Sequence, residues 1–477
     1  MLARSLSGLC KRSVWVCVYG SLALVGMVSH VGRVQPPSEL RADSYTSRLV
    51  DQELDELLAG LAAVALEGPK GVGKTATAER RVRSIFRLDQ PAQRQIAEAD
   101  PAVLLRAEPP VLFDEWQHVP AVWDAVRRAV DAGAAPGSFL LAGSAAPTVA
   151  PTHSGAGRVV SVRMRPLALA ERGLCSPTVR LTELLRGARA PLAGQSPVDL
   201  AGYAREVVAS GFPGLRGLTG RALRAQLDGY LARIVDRDFV EQGHAVRRPD
   251  TLRRWMTAYA AATATTTSLD KIRNAATSGE GDTAAKTTAL AYRDVLERLW
   301  IIEALPGWVP SRNQLARLTQ APRHHLADPA LAARLLGVDE GALLHGAVSP
   351  LFYGTNAGAA VKATAPRDGT LFGQLFESLV TLSVRSYAQV AEARVRHLRE
   401  QDGRHEVDLI VERADQRVVA LEVKLAAEVD DRDVRHLLWL RDKLGDELLD
   451  AAVITTGTHA YRRPDGIAVI PAALLTA

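Results

Sequence analysis

One eight-residue stretch limits what this chain can fold into more than any other. GPKGVGKT, Gly68–Thr75, fits G-x-x-x-x-G-K-[ST] in full. It follows the apolar run AAVALE and opens a segment of helix-forming residues. A buried strand, a glycine-rich turn and a helix in that order call for a parallel sheet, because parallel neighbours must be joined by a crossover. The glycines let backbone N–H groups turn inward around phosphate oxygens. The helix N-terminus adds roughly half a positive charge at the same place. Gly68, Pro69, Lys70, Gly71, Val72, Gly73, Lys74 and Thr75 therefore form a candidate phosphate cradle, with Lys74 directed to the β- and γ-phosphates and Thr75 to Mg²⁺. A chance glycine-rich turn would explain the glycines but not the strand before and the helix after.

The residues that follow supply the rest of such a site. PPVLFDEWQ is a short apolar run ending in two acids, about 40 residues beyond the cradle. Asp114 is expected to take Mg²⁺, through water, and Glu115 to polarise an attacking water. WDAVRRAVDAG reads as an amphipathic helix stopped by Gly133. SFLLAGS is another buried strand, and its Ser144 stands where a γ-phosphate sensor would, or is a plain turn or N-cap serine. Arg158, in SGAGR, is a candidate for stabilising transition-state charge, in cis or from a neighbouring subunit; the competing reading is a surface arginine. Strands that are continuous apolar runs, alternating with helices, predict a doubly covered parallel sheet over 45–173.

The periodicity then changes. Residues 174–340 read as a helical region: a linker with one short helix over 177–200, then ALRAQLDGYLARIVDRDF, TLRRWMTAYAAATA, a short helix at Leu269–Ala275 and KTTALAYRDVLERLWIIEAL. Three helices closed by an apolar WIIEAL segment resemble a winged helix. Residues 341–370 carry few periodic signals and are expected to be a loop. The block 371–477 reads as a helix, three strands, a helix and closing strands, a small α/β domain.

That last block has its own constellation. EVDLIVE and ALEVKL are apolar strands broken by acids that a two-residue period places on one face. Paired as a hairpin, they bring Asp408 beside Glu422 and Lys424. Two carboxylates gathering a divalent ion next to a lysine is an arrangement for metal-dependent phosphodiester cleavage. The competing reading is a half-exposed sheet with its charges toward solvent.

The P-loop, LFDEWQ, the LLAGS strand, GAGR followed by RMRPLALAE, and SGFPGL together resemble a group of bacterial AAA-type ATP-binding proteins whose ATPase domain is joined to a C-terminal domain of unknown function. The resemblance runs from about Tyr45 to the C-terminus. It implies an α/β P-loop NTPase domain, a winged-helix-like middle, and a tail resembling PD-(D/E)XK nucleases, the restriction-endonuclease-like fold. It implies ATP and Mg²⁺ as ligands. It also places a third acid of the tail on the preceding helix, at Glu377.

Composition narrows the remaining choices. Hydrophobic residues are 47% and charged residues 23%, a globular balance that excludes wholesale disorder. Three cysteines, Cys10, Cys17 and Cys175, cannot build a disulfide framework or a zinc spacing. The net charge of +5 is mild, and only eight of the 58 basic residues are lysine, a bias of composition rather than a nucleic-acid patch. Residues 14–28 are apolar and follow Lys11 and Arg12, like a signal h-region or short anchor. They fall short of the roughly 20 residues that span a bilayer. Because nucleotide is cytoplasmic, residues 1–44 are read as an extension outside the fold, the location as cytoplasmic, and a membrane partner is not expected. His324 and His325, adjacent on what reads as a helix, point apart and make a poor metal pair. The tryptophans are too scattered for a base-stacking platform, and Arg253 and Arg254 are a pair rather than a patch. Two functions fit: an Mg²⁺-dependent ATPase whose middle and tail act on or dock to DNA, and an ATP-dependent protein-interaction switch with an inactive nuclease-like tail. Oligomeric state is left open.

Overall fold

The computed structural model describes residues 45–145, 155–277, 285–311, 320–345, 370–400 and 403–477. The apolar segment 14–28 lies outside them. Among the described residues no helix is long and apolar enough to cross a membrane.

The strands of the first sheet are β1 (Ala63–Glu67), β2 (Ser84–Arg87), β3 (Val111–Asp114), β4 (Phe139–Gly143) and β5 (Val160–Arg163). They lie in the order β2-β3-β4-β1-β5, every pair parallel. The near-continuous apolar runs are explained by burial on both faces. Ala63 and Ala65 of β1 point into one core with Phe113 and Leu141, whereas Val64 and Leu66 point into the other with Leu112 and Leu140. Parallel order puts the C-terminal ends of β1, β3 and β4 side by side. The cradle, Asp114 and Ser144 thus meet at one sheet edge.

Residues 174–340 are more tightly tied in than a linker and a helical block would suggest. The expected linker contributes β6 (Val179–Arg180), which pairs in parallel with the C-terminal β14 (Leu475–Thr476). The helix read as continuous through DRDF instead runs Gly220–Arg233, passes through a π-helical turn at Ile234–Asp238 and ends at Phe239–Glu241. Helices Pro249–Ala261, Leu269–Ala275 and Lys286–Arg298 follow. WIIEAL leaves the last of these in extended form and bridges back at Ile302↔Leu326 and Leu305↔Arg323. His324 and His325 therefore lie on an extended segment, not a helix. His324 contacts Thr267 and Tyr259, and His325 contacts Ser378. The expected loop at 341–370 is corrected at its start, where Glu340–His345 is helical; residues 346–369 lie outside the described residues.

The second sheet has seven strands: β7 (Gly307–Trp308), β8 (Arg394–Arg399), β9 (Glu406–Glu412), β10 (Val418–Lys424), β11 (Leu448–Thr455), β12 (Tyr461–Arg462) and β13 (Ala468–Pro471), in the order β12-β13-β11-β10-β9-β8-β7. β8, β9 and β10 form an antiparallel meander, and β11 joins β10 in parallel after the helix Asp431–Leu444. That helix covers one face through Val434, Leu437 and Leu440. The helix Thr370–Val390 covers the other through Leu375, Leu379 and Val380, in the same core that runs under the first sheet. Burying side chains of this size stabilises by about 1.5–3 kcal/mol each. The three sequence blocks thus share one core, and Tyr45–Ala477 forms a single compact unit. Ser383 Oγ and the Tyr387 hydroxyl accept from the backbone N–H groups of Leu169 and Ala170, at 3.1 and 3.0 Å, fixing the tail's first helix to the end of the first block.

Candidate functional site

The cradle takes its shape from two glycines. A Cβ on Gly68 would lie 2.2 Å from the Met164 carbonyl oxygen, so only glycine fits there. Gly73 sits at φ 102°, left-handed backbone that turns the chain into the helix Lys74–Glu79. SGFPGL, otherwise unexplained, lies against the loop: Phe212 approaches Gly71 and Pro213 approaches Gly73. Ser210, at φ 67°, and Gly211 donate to the buried Asp328 carboxylate at 2.6 and 2.8 Å. Asp328 in turn caps the helix Pro329–Leu335 by accepting from Ala330 N–H. Arg48 straps the loop from beneath, donating to the carbonyls of Val72 (2.9 Å) and Arg165 (2.6 Å) and to Glu171 (2.9 Å).

Lys74 is buried, and its Nζ donates to the carbonyls of Gly68 and Pro69 at 2.8 and 3.0 Å. Burial lowers its pKa to about 8, against the pull of Glu115 and Asp114. Thr75 Oγ1 donates to the Asp114 carboxylate at 2.9 Å, so the two residues expected at Mg²⁺ share one point. Burial raises Asp114 to about 6 while the Thr75 hydrogen bond opposes it. Hydroxyl and carboxylate together are a hard-oxygen donor set that suits Mg²⁺. Glu115 is left-handed at φ 52° and ψ 42°, a conformation uncommon outside glycine. Its Oε2 accepts from Ser144 Oγ at 2.7 Å and from Gln117 Nε2. Ser144 is thereby brought to the Glu115 carboxylate.

Two expected residues have partners that the spacing did not foretell. Lys70, in the cradle, pairs with Asp238 at 2.6 Å, the last residue of the π-helical turn, and with Glu241 at 3.1 Å, in the helical turn that follows. Its burial works against the charge, but these carboxylates outweigh it and raise the pKa. Arg158 pairs with Asp131 at 2.8 Å and is exposed.

In the tail, the hairpin pairs Leu409 with Leu421, which sets Asp408 opposite Glu422. Asp408 Oδ2 accepts from Val423 N–H at 2.8 Å, and Lys424 Nζ donates to Glu422 Oε1 at 2.9 Å. Glu377 joins them from the helix Thr370–Val390. The positive charge at their centre is Arg323, which no motif flagged. Its guanidinium pairs with Glu377, with Glu406 and, at 2.9 Å, with Asp408. Burial and the neighbouring Asp408 push Glu377 well above the usual carboxylate range. They push Glu422 to about 8, with Lys424 opposing. As the side chains stand, no group of three or more His, Cys, Asp or Glu among the described residues is arranged to hold a metal ion. Glu406 was within reach of the sequence, since it shares the Asp408 face of β9; Arg323 was not.

A third cluster joins the blocks beside the cradle. Glu303 pairs with Arg165 at 2.5 Å and lies 3.8 Å from Arg385, whose guanidinium also donates to the carbonyls of Glu303 and Ala304. Burial opposes the charge on Glu303, but the three arginines Arg165, Arg385 and Arg163 hold its pKa far below the usual range.

Three stretches of the chain match models of known families. Residues 62–172 match a family model described as an AAA domain. Residues 201–342 and 372–475 match two domains of unknown function, DUF8612 and DUF4143. Two uncharacterized proteins, Rv2008c of Mycobacterium tuberculosis and Mb2031c of Mycobacterium bovis, are each 26% identical over 284 residues, covering 58% of this chain and 56% of their own length. The chain thus spans a little over half the length of the curated relatives it matches. Among solved structures, the Walker-type ATPase PABY2304 of Pyrococcus abyssi aligns at a TM-score of 0.38 and 15% identity, over 63% of this chain and 98% of that one. The AAA match supports ATP binding and ATPase activity for the first block; the other two matches carry no activity with them.

Proposed function

We propose that this protein binds ATP with Mg²⁺ in the cradle Gly68–Thr75 and hydrolyses it, and that its helical middle and tail act on or dock to nucleic acid. The observation that carries the ATPase reading is the convergence of Lys74, Thr75, Asp114 and Glu115 at one edge of a parallel sheet, with Thr75 and Asp114 in direct contact. Lys74 exchanges its two loop carbonyls for phosphate oxygens. Mg²⁺, held by Thr75 and Asp114, would neutralise charge on the β- and γ-phosphates. Glu115 orients the attacking water and accepts its proton. Ser144 and Gln117 hold the Glu115 carboxylate in place through Oε2, which leaves Oε1 to take that proton. Arg158 adds positive charge to the transition state from a neighbouring subunit, the arrangement that its exposed position favours. The experiment is ATP turnover by the full chain and its Glu115→Gln variant. The variant keeps ATP bound and loses turnover by orders of magnitude; wild-type turnover in it would move the base elsewhere.

A second reading has its own support. Arg323 fills the centre of the tail's acidic cluster, which favours a tail that does not cleave and an ATP-dependent switch working through protein contacts. Winged-helix-like and nuclease-like folds serve protein recognition as well as DNA.

A further inference from the structure

The tail cluster holds more negative charge than its partners answer. Four carboxyl groups, Glu377, Glu406, Asp408 and Glu422, face three basic side chains: Arg323, Lys424 and, 3.6 Å from Glu406, Arg399. Glu422 is buried, and while its Oε1 takes Lys424, its Oε2 has no hydrogen-bond partner. Arg323 is equally strained for partners: its side chain is 3% exposed and its Nε is buried without an acceptor. A planar guanidinium reaches Glu377, Glu406 and Asp408 but leaves the fourth carboxylate half answered. An orphaned buried carboxylate oxygen keeps its desolvation penalty unanswered, so the arrangement is not the best the cluster could make with a cation.

The origin of the arginine matters as much as its contacts. The acids come from the helix Thr370–Val390 and from β9 and β10. Arg323 comes from the middle block, where its backbone N–H donates to Leu305 at 2.9 Å and its carbonyl accepts from Leu305 at 2.8 Å. It is therefore placed by a different part of the chain from the groups it neutralises. A compact divalent ion among Glu377, Asp408 and Glu422 would use the free Glu422 oxygen and supply twice the charge of a guanidinium. It cannot enter while Arg323 stands there.

We propose that Arg323 is a built-in counter-ion that keeps a divalent-cation site of the tail closed. This goes beyond the ATPase reading and does not depend on it.

The test is Mn²⁺ binding to the nucleotide-free full chain, followed by the loss of the free-ion electron paramagnetic resonance signal. The expected result is that Arg323→Ala binds one more Mn²⁺ equivalent than wild type, that Arg323→Ala with Glu422→Gln loses it, and that Arg323→Lys, which keeps a cation in place, stays closed. A folded Arg323→Ala that gains no Mn²⁺ overturns the proposal. So does a wild-type chain that already binds an equivalent removed by Glu422→Gln, because the site would then be open with Arg323 present. Should Arg323→Ala fail to fold, Arg323→Ala with Glu377→Gln removes one of the exposed negative charges and carries the same expectation. Failure of both to fold even in Mn²⁺ counts against the proposal, since an ion able to occupy the cluster would restore the missing charge. ATP turnover is not read in this experiment, so its outcome is separable from that of the P-loop assignment.

Discussion

Replacing Lys74 by Met should make the protein more stable while destroying its ATP site. Lys74 is buried with its charge, and its pKa falls from 10.5 to about 8. At 1.36 kcal/mol per unit, holding that charge costs the folded protein about 3 kcal/mol near neutral pH. Lys74→Met keeps the volume and removes the penalty. It also leaves the carbonyls of Gly68 and Pro69 without their donor, at about 1 kcal/mol each. The net expectation at pH 7 is a gain of about 1 kcal/mol. The sign follows from linkage: a base whose folded pKa is depressed is penalised at every pH below that value. The penalty shrinks as pH rises from about 8 and is gone above the unfolded value. The variant's advantage must therefore narrow between pH 8 and pH 10 and then reverse. Urea unfolding at several pH values reads it from the midpoint, provided the slope is unchanged. Calorimetric titration with ATP and Mg²⁺ should show affinity reduced by about a hundredfold or more, because charge-assisted hydrogen bonds to phosphate contribute about 1.5–3 kcal/mol each. A variant destabilised by more than about 2 kcal/mol at pH 7, with no narrowing at high pH, would refute the burial argument. Retained ATP affinity would refute the cradle.

Three further outcomes are expected. Ser144→Ala, which removes the 2.7 Å hydrogen bond to Glu115, should lower kcat by about tenfold with ATP affinity kept; an unchanged kcat makes Ser144 a turn serine. Arg158→Ala should lower kcat without weakening ATP binding, and mixing it with Glu115→Gln should restore turnover if the arginine acts across a subunit contact; full activity returns Arg158 to its surface pairing with Asp131. Glu303→Gln should destabilise by about 2–3 kcal/mol at pH 7, because it strands arginines that are themselves largely buried. Since the folded pKa of Glu303 is depressed, that contribution is present above the usual carboxylate range and lost as pH falls through the folded value. Wild type and variant should thus converge in acid unfolding.

The parts legible in the sequence are those whose information is local. A strand, a glycine turn and a helix are adjacent in the chain, so GPKGVGKT announced both the sheet and the cradle. Asp114 and Glu115 follow a buried run whose direction is fixed by parallel order, and Ser144 follows another. Asp408, Glu422 and Lys424 needed only a two-residue period and one hairpin. Arg158 was legible as a candidate, but its position depends on where a loop returns, which no period encodes. The helix at Glu340–His345 is too short to show a repeat, and the extended segment of His324 and His325 was misread because strand bridges as short as Leu305↔Arg323 leave no alternation to count.

What escaped the sequence entirely is the set of long-range charges, most of which involve the middle block. Asp238 and Glu241 are about 170 positions from Lys70, Glu303 is 138 from Arg165, and Arg323 is 85 from Asp408. Among 58 basic residues no pattern separates Arg323 from the rest. Toward Lys70 the middle offers the carboxylates of Asp238 and Glu241; toward the tail it offers the Arg323 guanidinium to the acid cluster and the Glu303 carboxylate to Arg385. A phosphate arriving at the cradle carries the same charge as Asp238 and Glu241 and competes with them for Lys70. An acid cluster of the tail competes with nothing for Arg323 except a cation. Both contacts are small charge clusters beside the shared apolar core, and breaking one costs a few kcal/mol without unfolding that core. The block with the least motif content is therefore the one whose contacts ligands at either end are best placed to break.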